Sequence, residues 1–295
     1  MSAPLRGAAF AAILVAVFAV ASLAGAELDP SIEEPAEHDG DSAMEAHAPE
    51  GGHDATAALP GLASAEAGFQ LVPEQTRFAA SGAADLRFRI VGSDGAAVVD
   101  FDVEHARRMH LIVVRRDFTG FQHLHPRLLP DGTWEAEADL SEAGVYRAFA
   151  DFSTGGTQLT LATDLFVPGR FEPEQLPAPS TSADAGDGYE VELRGAEPRA
   201  GETAPIRFVV SRDGERVAGV EPYLDADGHL VALREHDQAF LHTHPEGEPG
   251  GDGPIEFGVE YPTAGAYRLF LQFKHDGRVR TAAFTQIVEG SDDAG

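Results

Sequence analysis

Cysteine is missing from the 295-residue chain, and lysine occurs once, as Lys274. Without cysteine there can be no disulfide, no thiolate metal ligand, no thiol nucleophile and no lipid-modified cysteine. Cations in general are scarce: 21 Lys and Arg stand against 49 Asp and Glu, a formal charge of −28. The basic footprint that phosphates require is absent, which argues against nucleic acid as a partner, and docking on anionic lipid is disfavoured for the same reason. Only three methionines are present, one of them the initiator, too few for a Met-rich Cu⁺ site. No Gly-x-Ser-x-Gly elbow, phosphate loop or dinucleotide fingerprint appears. The chain is nonetheless 43% hydrophobic, enough for packed cores.

The first segment reads as an export signal. Arg6 precedes an apolar stretch from Ala8 to Ala24, and Ala24-Gly25-Ala26 satisfies the small-x-small cleavage rule. The competing reading is an uncleaved anchor, which would be the chain's one contact with a membrane. Both readings place the rest of the chain outside the cytoplasm, at the cell surface or secreted. Residues 27–67 are acidic and rich in Ala, Gly and Pro, and are expected to be a disordered linker; they hold His38, His47, His53 and Met44. A second low-complexity run, 168–188, reads as an interdomain linker, and 290–295 as a tail.

Two globular modules remain, 68–167 and 189–289, and both read as β. Period-two alternation marks Leu86-Arg-Phe-Arg-Ile-Val91 and Val145-Tyr-Arg-Ala-Phe-Ala-Asp-Phe152 in the first, and Ala266-Tyr-Arg-Leu-Phe-Leu-Gln-Phe273 in the second. Asp-Gly turns at 94–95, 131–132, 213–214 and 276–277 punctuate them. His110-Leu-Ile-Val-Val-Arg115 aligns with His229-Leu-Val-Ala-Leu-Arg234, and Phe121-Gln-His-Leu-His-Pro126 with Phe240-Leu-His-Thr-His-Pro245. One fold is therefore used twice. The expected class is all-β, two tandem immunoglobulin-like antiparallel sandwiches. Tyr146 and Tyr267, each in Gly-x-Tyr-Arg-x-Phe, match the tyrosine corner of that fold and take a structural role.

Three histidines per module recur at identical spacing: His110, His123 and His125, then His229, His242 and His244. In a strand, His123 and His125 share a face opposite Leu124, and His110 lies opposite Leu111 and Val113. A short hairpin would set His110 beside His123 or His125, close enough for the imidazoles of each module to converge on one ion. Three neutral nitrogens suit copper or zinc, with affinity expected to fall as pH drops through about 6.5. His105 could add a fourth ligand from a loop, and His236, inside the second hairpin loop, is a further candidate. Divergence has altered most of the hairpin and spared these histidines. Against this stands a bland reading, in which they serve packing and hydrogen bonds.

These elements resemble a group of uncharacterised exported actinobacterial proteins, and at module level YtkA-like extracytoplasmic immunoglobulin-like domains associated with heavy-metal handling. The resemblance implies fold, export and the same six histidines, without a mechanism. CopC-like copper proteins are similar in architecture but use a histidine at the mature N-terminus, where cleavage here would leave Glu27. A double cupin fits poorly: Glu248 follows His244 suitably, but the glycines and the later histidine do not match. Three functions remain: a non-catalytic copper or zinc binder, an interaction module for a cell-surface protein partner, and a metalloenzyme. No catalytic residue is identified.

Overall fold

In the computed structural model, residues 59–290 are described, apart from 81, 196 and 248. The signal segment, the linker histidines His38, His47 and His53 with Met44, and Glu248 lie outside the described residues. Among the described residues, no helix is long and apolar enough to cross a membrane.

The first module contains β1 (Ala65–Glu66), β2 (Phe69–Pro73), β3 (Ala83–Val91), β4 (His110–Arg115), β5 (Gln122–Leu124), β6 (Arg127–Leu128), β7 (Trp134–Asp139), β8 (Gly144–Thr154) and β9 (Thr157–Val167). The second contains β10 (Ser182–Gly186), β11 (Tyr189–Gly195), β12 (Thr203–Arg212), β13 (Glu215–Arg216), β14 (Gly228–Arg234), β15 (Phe240–Leu241), β16 (Thr243–Glu246), β17 (Ile255–Glu260), β18 (Gly265–His275) and β19 (Arg278–Val288). Each module is a sandwich of two antiparallel sheets. In the first, β1-β2-β3-β7-β6 faces β5-β4-β8-β9; in the second, β10-β11-β12-β17-β16 faces β15-β14-β18-β19, with β13 on β12. The described residues are thus all-β, two tandem immunoglobulin-like sandwiches.

Strand alternation builds each core. Along β3, Leu86, Phe88 and Ile90 are buried while Arg87 and Arg89 reach carboxylates and hydroxyls on the outer face. Trp134 fills the first core edge-on to Phe101, with ring centres 5.0 Å apart. Both tyrosine corners are made: the Tyr146 hydroxyl donates to the Glu142 carbonyl at 3.0 Å, and that of Tyr267 to the Thr263 carbonyl at 2.8 Å.

The two modules share a third core. Leu111 and Val113 of β4 enter the first sandwich, while Ile112 and Val114, on the opposite face, pack with Phe149, Val231, Leu233, Phe240 and Phe270. Strand β4 is consequently buried at all six positions. Phe121 stacks on Phe270 at 4.1 Å, and Phe149 meets Phe240 at 5.6 Å. Phe121 and Phe240 are equivalent positions of the repeat, as are Phe149 and Phe270. The joint therefore has the self-complementary form of a two-fold dimer interface within one chain. Gln238 closes it by donating to the Arg115 carbonyl at 3.0 Å.

Two stretches read as linkers contribute here. Residues 59–67, expected to be disordered, are ordered against the joint: Arg147 donates to the carbonyls of Gly61 and Leu62, and the Phe240 amide to that of Pro60. Gly61 has φ +71°, and a Cβ there would lie 2.8 Å from the Phe149 ring. Within 168–188, Leu176 packs on the shared core and β10 pairs with β11.

Candidate metal centre

The face of β4 opposite the first core carries His110, as the alternation requires, and β5 runs beside it with Ile112 opposite His123 and Leu111 opposite Leu124. That face looks onto the second module, which supplies His229 from the start of β14. The result is one cluster spanning both modules. Ring centres of His110, His123 and His125 lie 4.8–5.3 Å apart, and His229 stands 4.4 Å from His123 and 5.3 Å from His110. His105, on a turn with left-handed backbone (φ 48°), caps the group at 6.2 Å from His110 and 6.3 Å from His229.

Hydrogen bonding constrains the ring protons. The Glu104 carbonyl, an acceptor only, lies 3.1 Å from His110 Nε2, so that nitrogen carries the hydrogen and Nδ1 keeps its lone pair. Gln272 Oε1 lies 2.7 Å from His123 Nδ1, and with the amide so placed Nδ1 donates and Nε2 keeps a lone pair. The two bare nitrogens, His110 Nδ1 and His123 Nε2, face each other at 2.9 Å. Two imidazoles on one tetrahedral ion, with bonds of 2.0–2.1 Å, stand about 3.3 Å apart. Outward anchoring of each ligand's second nitrogen on a carbonyl or amide oxygen is the usual support of a metal-bound histidine.

A metal-ligand atom of His229 lies within 4.8 Å of those of His110 and His123. His229 Nδ1 and His125 Nε2 are enclosed and have no hydrogen-bond partner. An unsatisfied buried ring nitrogen costs about 1–3 kcal/mol, and an ion would relieve it. The donor set therefore fits a borderline cation such as zinc or copper.

Burial holds these rings neutral. It lowers the pKa of His110 to about 4, against the raising effects of the Glu104 carbonyl and Asp151. Burial and the neighbouring His110 take His123 to about 3, and burial with Arg107 takes His125 to about 4. His229 is driven well below its ordinary value by burial and the surrounding histidines. Protonation of the cluster therefore sets in well below the pH at which free imidazole titrates, about 6.5.

The second module does not assemble a triad of its own. Its hairpin strand leaves the inner sheet after Leu241, and β16 pairs with β17 of the outer sheet, placing His244 opposite Gly258. His244 is exposed there, while Thr243 donates to the Leu230 carbonyl at 2.8 Å. In the first module the corresponding switch falls after Leu124, and β6 pairs with β7. His242 stays at the joint, lining a chamber of about 40 Å³ with His105, His110, His229, Glu104 and Asp151. His236 sits at a loop tip with its side chain 88% exposed, 3.7 Å from Glu235. Among the described residues, His110, His123 and His229 are the one group of three whose ligand atoms gather this closely. Gln272 and the Glu104 carbonyl were not anticipated; the repeat offered a hint, since Gln272 occupies the place of Asp151.

No curated protein matches the chain. Similar solved structures include the adhesin InvE of Yersinia pseudotuberculosis, at 12% identity over 74% of this chain and 58% of that one, with a TM-score of 0.24. The Escherichia coli adhesin FdeC is similar at 14% over 76% and 64%, with a TM-score of 0.26. Yersinia pseudotuberculosis InvD is similar at 12% over 77% and 60%, with a TM-score of 0.25. The chain spans about three-fifths of the length of these structures. A single family model matches twice, over residues 65–169 and 182–290, once per sandwich. The chain therefore belongs to the family described as Domain of unknown function (DUF8832), of which it carries two copies.

Proposed function

We propose that this is an exported, non-catalytic metal-binding protein that holds one Cu²⁺ or Zn²⁺ between its two sandwiches through His110, His123 and His229. The observation that carries the reading is the approach of His110 Nδ1 and His123 Nε2 to 2.9 Å, each ring having its other nitrogen tied to an oxygen. Equilibrium affinity favours Cu²⁺ over Zn²⁺ for such a set. His125 and His105 are the nearest additional donors. The resemblance to YtkA-like modules is in keeping with metal handling outside the cytoplasm.

The test is metal analysis and titration of residues 27–295 purified without an affinity tag. One ion per chain is expected, with loss of tight uptake in His110→Ala and in His229→Ala, and unchanged uptake in His244→Ala. Absence of tight uptake by the parent protein overturns the proposal.

A second reading is an exported interaction module for a cell-surface protein, with the histidines serving only the joint. The shared core favours it, because two sandwiches held in fixed relation offer one rigid surface. It is also the role for which the similar adhesins are named. Under it, cross-linking at the cell surface recovers a protein partner and metal titration shows no tight site.

A further inference from the structure

Gln272 stands on β18 of the second module, yet its amide decides which nitrogen of His123, in the first module, carries the proton. As the amide is placed, Oε1 accepts from His123 and Nε2 donates to the Thr281 hydroxyl at 3.3 Å. This arrangement leaves two lone pairs opposed across 2.9 Å, which suits an ion between them and is unfavourable without one. A second arrangement satisfies every group with the same number of protons. With the amide turned by half a rotation, Gln272 Nε2 donates to His123 Nδ1, and the Thr281 hydroxyl donates to Oε1. His123 Nε2 then carries the hydrogen and donates to His110 Nδ1, while His110 Nε2 still donates to the Glu104 carbonyl. The threonine can serve both orientations because a hydroxyl donates and accepts.

We propose that Gln272 is a positioning residue that acts as a tautomer latch, switching the His110–His123 pair between a closed hydrogen bond and a two-nitrogen ligand set. The exchange moves one proton of His123 from Nε2 to Nδ1 through solvent, and both rings remain neutral. The ligand-set half of the cycle rests on the metal reading; the closed half does not. Of the two equivalent positions of the repeat, one can work this way. The equivalent residue of the first module is Asp151, whose carboxylate accepts from the Thr160 hydroxyl at 2.8 Å and has no hydrogen to give. Because the metal-competent state must first be opened, the latch lowers apparent affinity by the fraction of molecules held closed.

The test is ¹⁵N spectroscopy of the histidine rings in residues 27–295, metal-free and with Zn²⁺. The latch requires the metal-free protein to carry the His123 proton on Nε2, with coupling across the hydrogen bond to His110 Nδ1, and the zinc form to carry it on Nδ1. Gln272→Glu, which can only accept, should show the Nδ1 tautomer without metal and bind Zn²⁺ about tenfold more tightly. Gln272→Leu should weaken Zn²⁺ by about 10–100-fold. A metal-free parent with the His123 proton already on Nδ1 overturns the latch, as does zinc binding within twofold of the parent in both variants. If the parent takes up no zinc, the metal reading fails, while its metal-free spectrum still decides the closed state.

Discussion

Asp117 accepts from five donors at once: two guanidinium nitrogens of Arg115 at 2.9 Å, the Thr119 hydroxyl at 2.8 Å, the Thr119 amide at 3.4 Å and the Glu174 amide at 3.0 Å. Burial pushes its carboxyl pKa up, and these donors more than reverse the effect, leaving it at about 2. The folded value lies below the ordinary one, so the stabilisation is complete above about pH 4 and fades as pH falls toward 2. Asp117→Asn should cost about 3 kcal/mol in urea unfolding at pH 7, with the difference closing by pH 2. The histidine cluster acts over a higher window. His110 and His123 titrate near 4 and 3 in the folded protein, and near 6.5 once unfolded. The unfolded chain then binds more protons as pH drops below about 6.5, so stability falls until the folded rings also protonate, His110 near 4 and His123 near 3. Unfolding of the metal-free protein at pH 5 should show a loss of about 1–2 kcal/mol for each of these two rings, removed in His123→Gln by its share.

At the scale of strands, much was legible. Alternation located β3, β8 and β18, Asp-Gly pairs marked the turns after β3 and β18, and the Gly-x-Tyr-Arg-x-Phe element gave both corners. Tyr146→Phe and Tyr267→Phe each leave a carbonyl without its donor, and each should cost about 1–2 kcal/mol by denaturant midpoint. The pointing of His110 away from Leu111 and Val113 was also legible, because period two permits nothing else. What lay beyond that face was not. The run Leu111-Ile-Val-Val114 is apolar without alternation, the signature of a strand covered on both sides, and Leu230-Val-Ala-Leu233 repeats it. Read that way, the runs announce the joint. Identical histidine spacing suggested a site in each module, but spacing is silent on where a strand changes sheets. A switch two positions earlier in the second hairpin carries His244 to the other layer.

For the whole molecule, the shared core makes the two sandwiches energetically dependent. Phe149 and Phe270 are buried in it, and deleting either ring removes apolar contact from both modules at once. Calorimetry of the parent should show one cooperative transition. Phe270→Ala should lower stability by about 3–5 kcal/mol and separate it into two, because the joint weakens more than either sandwich.

The near-symmetry of that joint has a consequence for how such a protein can change. A homodimer of either half would place the same residue at both corners, two amides or two carboxylates, and any substitution would strike twice. Covalent tandem copies release that constraint. Position 151 can hold an anion while position 272 holds a neutral amide, so one corner can differ from its mirror image.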